Sequence, residues 1–207
     1  MFNIKRGTPL IYISLLMLSC SKDAKTCERS EFYLNKNGYI VHLKDTNIKY
    51  NISSLEGKYK DAAKKALKEA NRFTNLTFTS TNSNSNFVFK TCEGNIPDHP
   101  KANALNHYTY EQSSGVLKAS EITISKSHCD AFSNEGLVYI FIHELGHTFG
   151  LRDLGSANDF YYDNTGNYYE DKSVMYGGYS EYSKYTFVSY QNFDQENIIS
   201  YCGGNYN

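Results

Sequence analysis

Over 55–73 the apolar residues Tyr59, Ala62, Ala63, Ala66, Leu67, Ala70 and Phe73 recur at steps of three and four between charged positions. That spacing predicts an amphipathic helix with its lysines turned to solvent. Two short β-prone runs follow, "LTFTS" and "NFVFKT", separated by the polar, turn-prone "TNSNSN". In "SEITISK", Ile122 and Ile124 alternate with Glu121, Thr123 and Ser125, which predicts a strand with one face to a core and the other outward. The segment "NEGLVYIFIHELGHTFG" holds a long apolar stretch over 137–149, with Val138, Ile142, Leu145 and Phe149 on one side of a helix and Gly150 as its stop. Beyond it Tyr, Asn, Asp, Gly and Ser dominate through Ser183, a composition that predicts irregular structure. "FDQENIISYCGG" then closes the chain as a short helix ended by glycines. Neither an internal repeat nor a second domain boundary is visible.

The first twenty residues read as an address. Lys5 and Arg6 precede the apolar run "PLIYISLLML", which is too short for a stable span, and Ser19 stands before Cys20. This arrangement resembles a bacterial lipoprotein signal, cut before a cysteine that then carries lipid, with "SKDAK" as a tether. Met17 and Leu18 depart from the usual residues of that pattern, and a plain secretory signal is the alternative. The division expected is a signal peptide over 1–19, a tether and N-terminal segment over 20–50, and the main folded domain over 51–207. The location expected is the outer membrane or cell surface of a bacterium, reached through lipid on Cys20.

Composition narrows the choice of partners. A chain of 207 residues with formal charge −1 has length for one cored domain and no basic stripe of the kind that tracks nucleic acid. No nucleic-acid partner is expected, and a monomer is. The 19 tyrosines and the absence of tryptophan carry no function by themselves. Cys27, Cys92, Cys129 and Cys202 have no CxxC spacing, so two disulfides in an oxidising compartment suit them better than a thiolate metal site, with three pairings open.

"HELGHTFGLRD", residues 143 to 153, is the chemically informative stretch. His143 and His147 stand four apart, which on a helix stacks them on one face with their imidazoles converging. Glu144 lies about 100° round the helix, placed to reach a water at that point without being a ligand. Two histidines and a glutamate inside an apolar helix carry a desolvation penalty that an ordinary core position lacks means to offset, and a bound Zn2+ would offset it. Gly150 can adopt a left-handed conformation that turns the chain back, so that residue 153 returns to the same point.

With that extension the sequence resembles the metzincin zinc peptidases, whose pattern HExxHxxGxxH/D is matched at every fixed position and is followed by "SVMY", similar to a Met-turn. The aspartate form is similar to the snapalysins, and "HELGH" with a lipoprotein start is similar to the HEIGH-type bacterial peptidases, which usually have histidine at the third position. The resemblance implies an α+β, metzincin-like fold: a small mixed, mostly antiparallel sheet with an active-site helix, then an irregular C-terminal subdomain with a Met-turn and a final helix. It implies His143, His147 and Asp153 as Zn2+ ligands, Glu144 as general base and Met175 as packing beneath the site. Where some metzincins have a tyrosine two residues after the methionine, this chain has Gly177, with Tyr176 and Tyr179 nearby.

The activity implied is hydrolysis of peptide bonds in protein or peptide substrates. Zinc with two histidines and one carboxylate has working precedent. "SEITIS" is the strand expected to receive an extended substrate by β-augmentation; the alternative is a strand with both edges covered. Two rival readings stand beside this one: a metal hydrolase whose third ligand is Glu170 or Asp171, and a zinc-binding surface lipoprotein without turnover. "DNTGNYYED" lacks the spacing of an EF-hand loop and reads as a solvated loop.

Overall fold

The computed structural model describes residues 41–153 apart from 46, 74, 75 and 84, together with 173–175 and the two-residue strands β1 (Asn35–Lys36), β2 (Tyr39–Ile40), β8 (Tyr161–Tyr162) and β9 (Tyr168–Tyr169). The signal segment, Cys20, Cys27, Asp159, Glu170, Asp171, Tyr176, Gly177, Tyr179, Cys202 and the closing helix all lie outside the described residues. Between the flanking strands run β3 (Asn47–Asn51), α1 (Gly57–Phe73), β4 (Thr77–Ser80), β5 (Phe87–Cys92), β6 (Ala104–Tyr110), β7 (Leu117–Ser125), α2 (Lys126–Cys129) and α3 (Asn134–Thr148). The architecture is α+β, with one five-stranded sheet in the order β4-β3-β5-β7-β6. Among the described residues no helix is long and apolar enough to cross a membrane.

The sheet corrects two expectations. It is mixed but mostly parallel: β3 runs parallel to β4 and to β5, β5 runs parallel to β7, and only β6 is antiparallel to its neighbour. A helix crossover through α1 makes the β3–β4 pair parallel, since only a long connection can return a chain to the same direction. The second correction concerns "SEITIS". It lies in β7, which is hydrogen-bonded to β5 on one side and β6 on the other, so both its edges are covered. Among the described residues the free edge at this end of the sheet belongs to β6, a strand that the hydrophobic pattern did not reveal.

Alternation along β7 holds on the face of Ile122 and Ile124, which are buried, but Thr123 and Ser125 on the opposite face are buried as well. Ser125 is held there by hydrogen bonds from its hydroxyl to the Gly94 carbonyl (2.9 Å) and from its N–H to the Asn103 carbonyl (2.8 Å). Val41, Leu43, Ile48 and Tyr50 belong to the core, so the chain packs against the sheet from residue 41 onward.

The helix expected over 55–73 forms as α1, with Tyr59, Ala62, Ala63, Ala66, Leu67 and Ala70 buried. Its alanines let it lie close along α3. Phe141 of α3 packs on Phe89 of β5 (centroids 6.0 Å apart) and Phe149 on Phe78 of β4 (6.2 Å), which ties α3 to the sheet. Ser133 caps α3, its hydroxyl accepting from Gly136 N–H at 3.1 Å, and Glu135 sits in the first turn where the helix dipole favours an anion.

Among the described residues Cys92 and Cys129 are free thiols, while Cys27 and Cys202, the other two cysteines of the expected disulfides, lie outside them. Cys129 is fully buried, and burial pushes its thiol up to about 12, leaving it a small apolar core residue at neutral pH.

Candidate metal centre

Helix α3 is buried almost all round, an unusual setting for "HELGH". His143 and Glu144 are 5% and 6% exposed, so each imidazole or carboxylate needs a partner to offset the water it has lost. The partners come from two turns that follow the helix.

The first turn is built by Gly150. Its φ is +89°, a region that side chains other than glycine rarely adopt. Gly150 N–H bonds the His147 carbonyl and Leu151 N–H bonds the Gly146 carbonyl, each at 3.0 Å, which together make a Schellman motif. The reversed chain then serves the helix twice. Its Leu151 carbonyl accepts from His147 Nδ1 at 2.8 Å, and Asp153 arrives over the imidazoles. Asp153 Oδ1 lies 3.2 Å from His143 Nε2 and 3.5 Å from His147 Nε2. Arg152 is exposed.

The second turn is 173–175. Val174 carbonyl accepts from His143 Nδ1 at 2.6 Å and from the Tyr139 hydroxyl at 3.2 Å, and Ser173 Oγ accepts from Met175 N–H at 2.9 Å. Met175 is buried against Gly146, between the two histidines in sequence. A Cβ at position 146 would overlap Met175 Sδ and lie 3.1 Å from its Cε. The methionine is thus packing beneath the site, and Gly146 is the residue that admits it.

These bonds determine tautomers. A carbonyl oxygen only accepts, so both Nδ1 atoms carry a proton and Nε2 is the atom that each ring turns toward Asp153, able to bind a metal once it is deprotonated. His143 Nε2, His147 Nε2 and a carboxylate oxygen of Asp153 lie within 4.8 Å of one another. Around a tetrahedral Zn2+ with bonds of 2.0–2.2 Å, ligand atoms stand about 3.3–3.6 Å apart; the Asp153 separations of 3.2 and 3.5 Å lie close to that range. The donor set therefore fits a metal ion, with second-layer carbonyls orienting both rings as metal-binding histidines require.

Without an ion the three side chains hold one another electrostatically. Burial lowers the His143 pKa, but the hydrogen bond to Asp153, the charges of Glu144 and Asp153 and the Val174 carbonyl outweigh it and hold the group at about 9. Burial raises the Asp153 carboxyl, yet its bonds to His143 and His147 and their charge hold it far below the ordinary carboxylate range. Its side chain is 61% exposed, so solvent screens that pairing, and solvent reaches the group on this side. Glu144 is moved the other way. Burial raises its pKa, against the lowering effect of His143 and His147 and of a backbone hydrogen bond from Asn106 on β6.

Sequence reasoning named His143, Glu144, His147, Asp153 and Met175, and the structure brings all five together. It missed the carbonyls of Leu151 and Val174, which no side-chain pattern encodes, and it missed Asn106. One signal was available for the latter: Asn106 is the polar member of the inward series Ala104, Asn106, Tyr108. Comparison with protein-family profiles and with curated protein sequences finds no match.

Proposed function

We propose that the chain is a zinc-dependent endopeptidase acting on proteins or peptides outside the cytoplasm. The observation that carries this reading is the convergence of two Nε2 atoms and one carboxylate oxygen, with the buried Glu144 between them and the free edge of the sheet. Three protein donors leave a tetrahedral ion one open position, the arrangement of a catalytic and not a structural site. A Zn2+ held there would supply Lewis-acid polarisation of a carbonyl and a more acidic water.

The protein's own residues do the rest. Glu144 has a pKa raised above 4.5, which brings a carboxylate closer to the range where it can take a proton from water and hand it to a departing amine. Strand β6 supplies the substrate's bed. The N–H of Asn106 reaches Glu144 and not β7, and by alternation the main-chain groups of Ala104 and Tyr108 point off the same free edge. An extended peptide added there would run past Glu144 with its carbonyls near the metal ligands, and main-chain pairing of that kind is indifferent to side-chain sequence. The free edge of β6 thus replaces β7 as the strand that receives substrate.

The metzincin resemblance agrees with this reading in the HExxH helix, the Gly150 turn and the buried Met175. Export and lipid attachment at Cys20 rest on the N-terminal pattern of Lys5, Arg6, the apolar run and Ser19-Cys20. The deciding experiment is digestion of a broad peptide library by the zinc-loaded protein with and without chelator, beside Glu144→Ala. Cleavage should require metal and Glu144, while zinc content should be unchanged by Glu144→Ala. Near-normal turnover by that variant would sink the mechanism. Absence of any cleavage by the wild type would favour the zinc-binding lipoprotein without turnover.

A further inference from the structure

Behind the metal centre lies a closed polar cluster inside an otherwise apolar layer. Asn106 Nδ2 donates to the Glu144 carbonyl at 2.7 Å and to Thr148 Oγ1 at 2.9 Å. Asn106 Oδ1 accepts from Ser120 Oγ at 2.8 Å, and the Ser120 and Thr148 hydroxyls lie 3.0 Å apart. All three residues are buried. The cluster therefore joins β6, β7 and α3 at one point.

Burying an amide and two hydroxyls between a sheet and a helix carries a desolvation penalty, and apolar residues of similar shape could fill the space at little or no loss of stability. What the amide adds is direction. Apolar packing tolerates small sliding of a helix over a sheet, whereas a bidentate amide sets both the height and the rotation of the turn it grips. The turn gripped is that of Glu144. One residue of the edge strand thus fixes the helix turn that carries Glu144 by its side chain.

We infer that Asn106 is the positioning residue that sets Glu144 against the substrate-binding edge of β6. This inference rests on the peptidase reading and assigns that site's alignment to a named contact. Asn106 does not touch the carbonyls of Val174 and Leu151 that orient the histidines, so metal binding is independent of it. Its loss moves the base relative to the scissile bond and leaves the metal in place.

The test is a kinetic double-mutant cycle on the full zinc-loaded protein with a fluorogenic peptide. Asn106→Leu should keep one zinc per chain and KM within about twofold, while kcat falls about 100-fold, the scale set by roughly 1 Å of misplacement. In a Glu144→Ala background the same substitution should cause no further loss, because Asn106 acts through Glu144. Ser120→Ala leaves both bonds from Asn106 to α3 intact and should keep kcat within about threefold. Equal losses with and without Glu144 would overturn the inference, as would Ser120→Ala matching Asn106→Leu. Should the leucine variant fail to fold, Asn106→Ala, which leaves room for water, takes its place in the cycle. A wild type that binds zinc and cleaves no peptide refutes the peptidase reading, and the inference with it. An active wild type with additive losses refutes the inference alone.

Discussion

Alanine normally stabilises a helix over glycine by up to about 0.8–1 kcal/mol, so Gly146→Ala in the last turn of α3 would ordinarily be a favourable change. Here the added methyl meets Met175. Sδ must retreat by about 1 Å or more to regain an ordinary contact distance, and it is not the free end of its side chain. Retreat is opposed at two points, since Met175 N–H is bonded to Ser173 Oγ and the preceding Val174 carbonyl is bonded to His143 Nδ1 and the Tyr139 hydroxyl. Overpacking of this kind costs about 1–3 kcal/mol, which exceeds the gain in helix propensity and leaves a net loss of about 1 kcal/mol. Removing the obstacle should reverse the sign. Met175→Ala alone opens a cavity and costs about 2–5 kcal/mol, but in that background Gly146→Ala should stabilise by about 1 kcal/mol, as in an unobstructed helix. Urea unfolding of the four proteins in chelator, which isolates packing from metal binding, measures the cycle. A coupling of about 1–3 kcal/mol is expected. Stabilisation by Gly146→Ala in both backgrounds would refute the packing argument, and additivity within about 0.5 kcal/mol would do the same.

Asp153→Ala should lose both zinc and activity, whereas Asp153→His, which restores three imidazoles, should keep zinc through dialysis and shift the acidic limb of the pH-rate profile downward. Retention of full zinc by the alanine variant, with loss in Glu170→Ala or Asp171→Ala, would instead favour a downstream acidic ligand. Metal-free protein should show a stability plateau between the ordinary carboxylate range and about pH 6.5. His143 is raised from 6.5 to about 9, so its contribution is complete below pH 6.5 and is lost as pH rises through 9. Asp153 is lowered from 3.8, so its contribution is complete above that value and is lost as pH falls below it. Zinc affinity should rise over the same alkaline interval, because His143 must give up its proton to bind; thermal melts in chelator and zinc titrations across pH check both. Intact mass of membrane-extracted protein should show a diacylglyceryl adduct on Cys20, and a soluble chain beginning beyond Cys20 would contradict the anchor.

The geometry of the candidate site was legible because it is written in short-range spacing. A four-residue step on a helix and a glycine that ends it determine where His143, His147 and Asp153 point, and no distant residue is needed to read them. Helix α1 was legible for the same reason, since its apolar face repeats at the helix period. The strands were legible only where alternation was strong, as at Ile122 and Ile124. Strand order and direction were not, because these depend on which segments meet after the chain has crossed over α1. The expectation that β7 offers an open edge therefore failed: local alternation describes a strand's two faces and says nothing of its two edges. Tertiary structure alone decided that β6 takes the edge, that Met175 occupies the space of a missing Cβ at Gly146, and that the Val174 and Leu151 carbonyls orient the imidazoles. Each of these is a main-chain or packing relation between segments remote in sequence or turned back on themselves, and such relations arise only when burial of the apolar faces brings the backbones together.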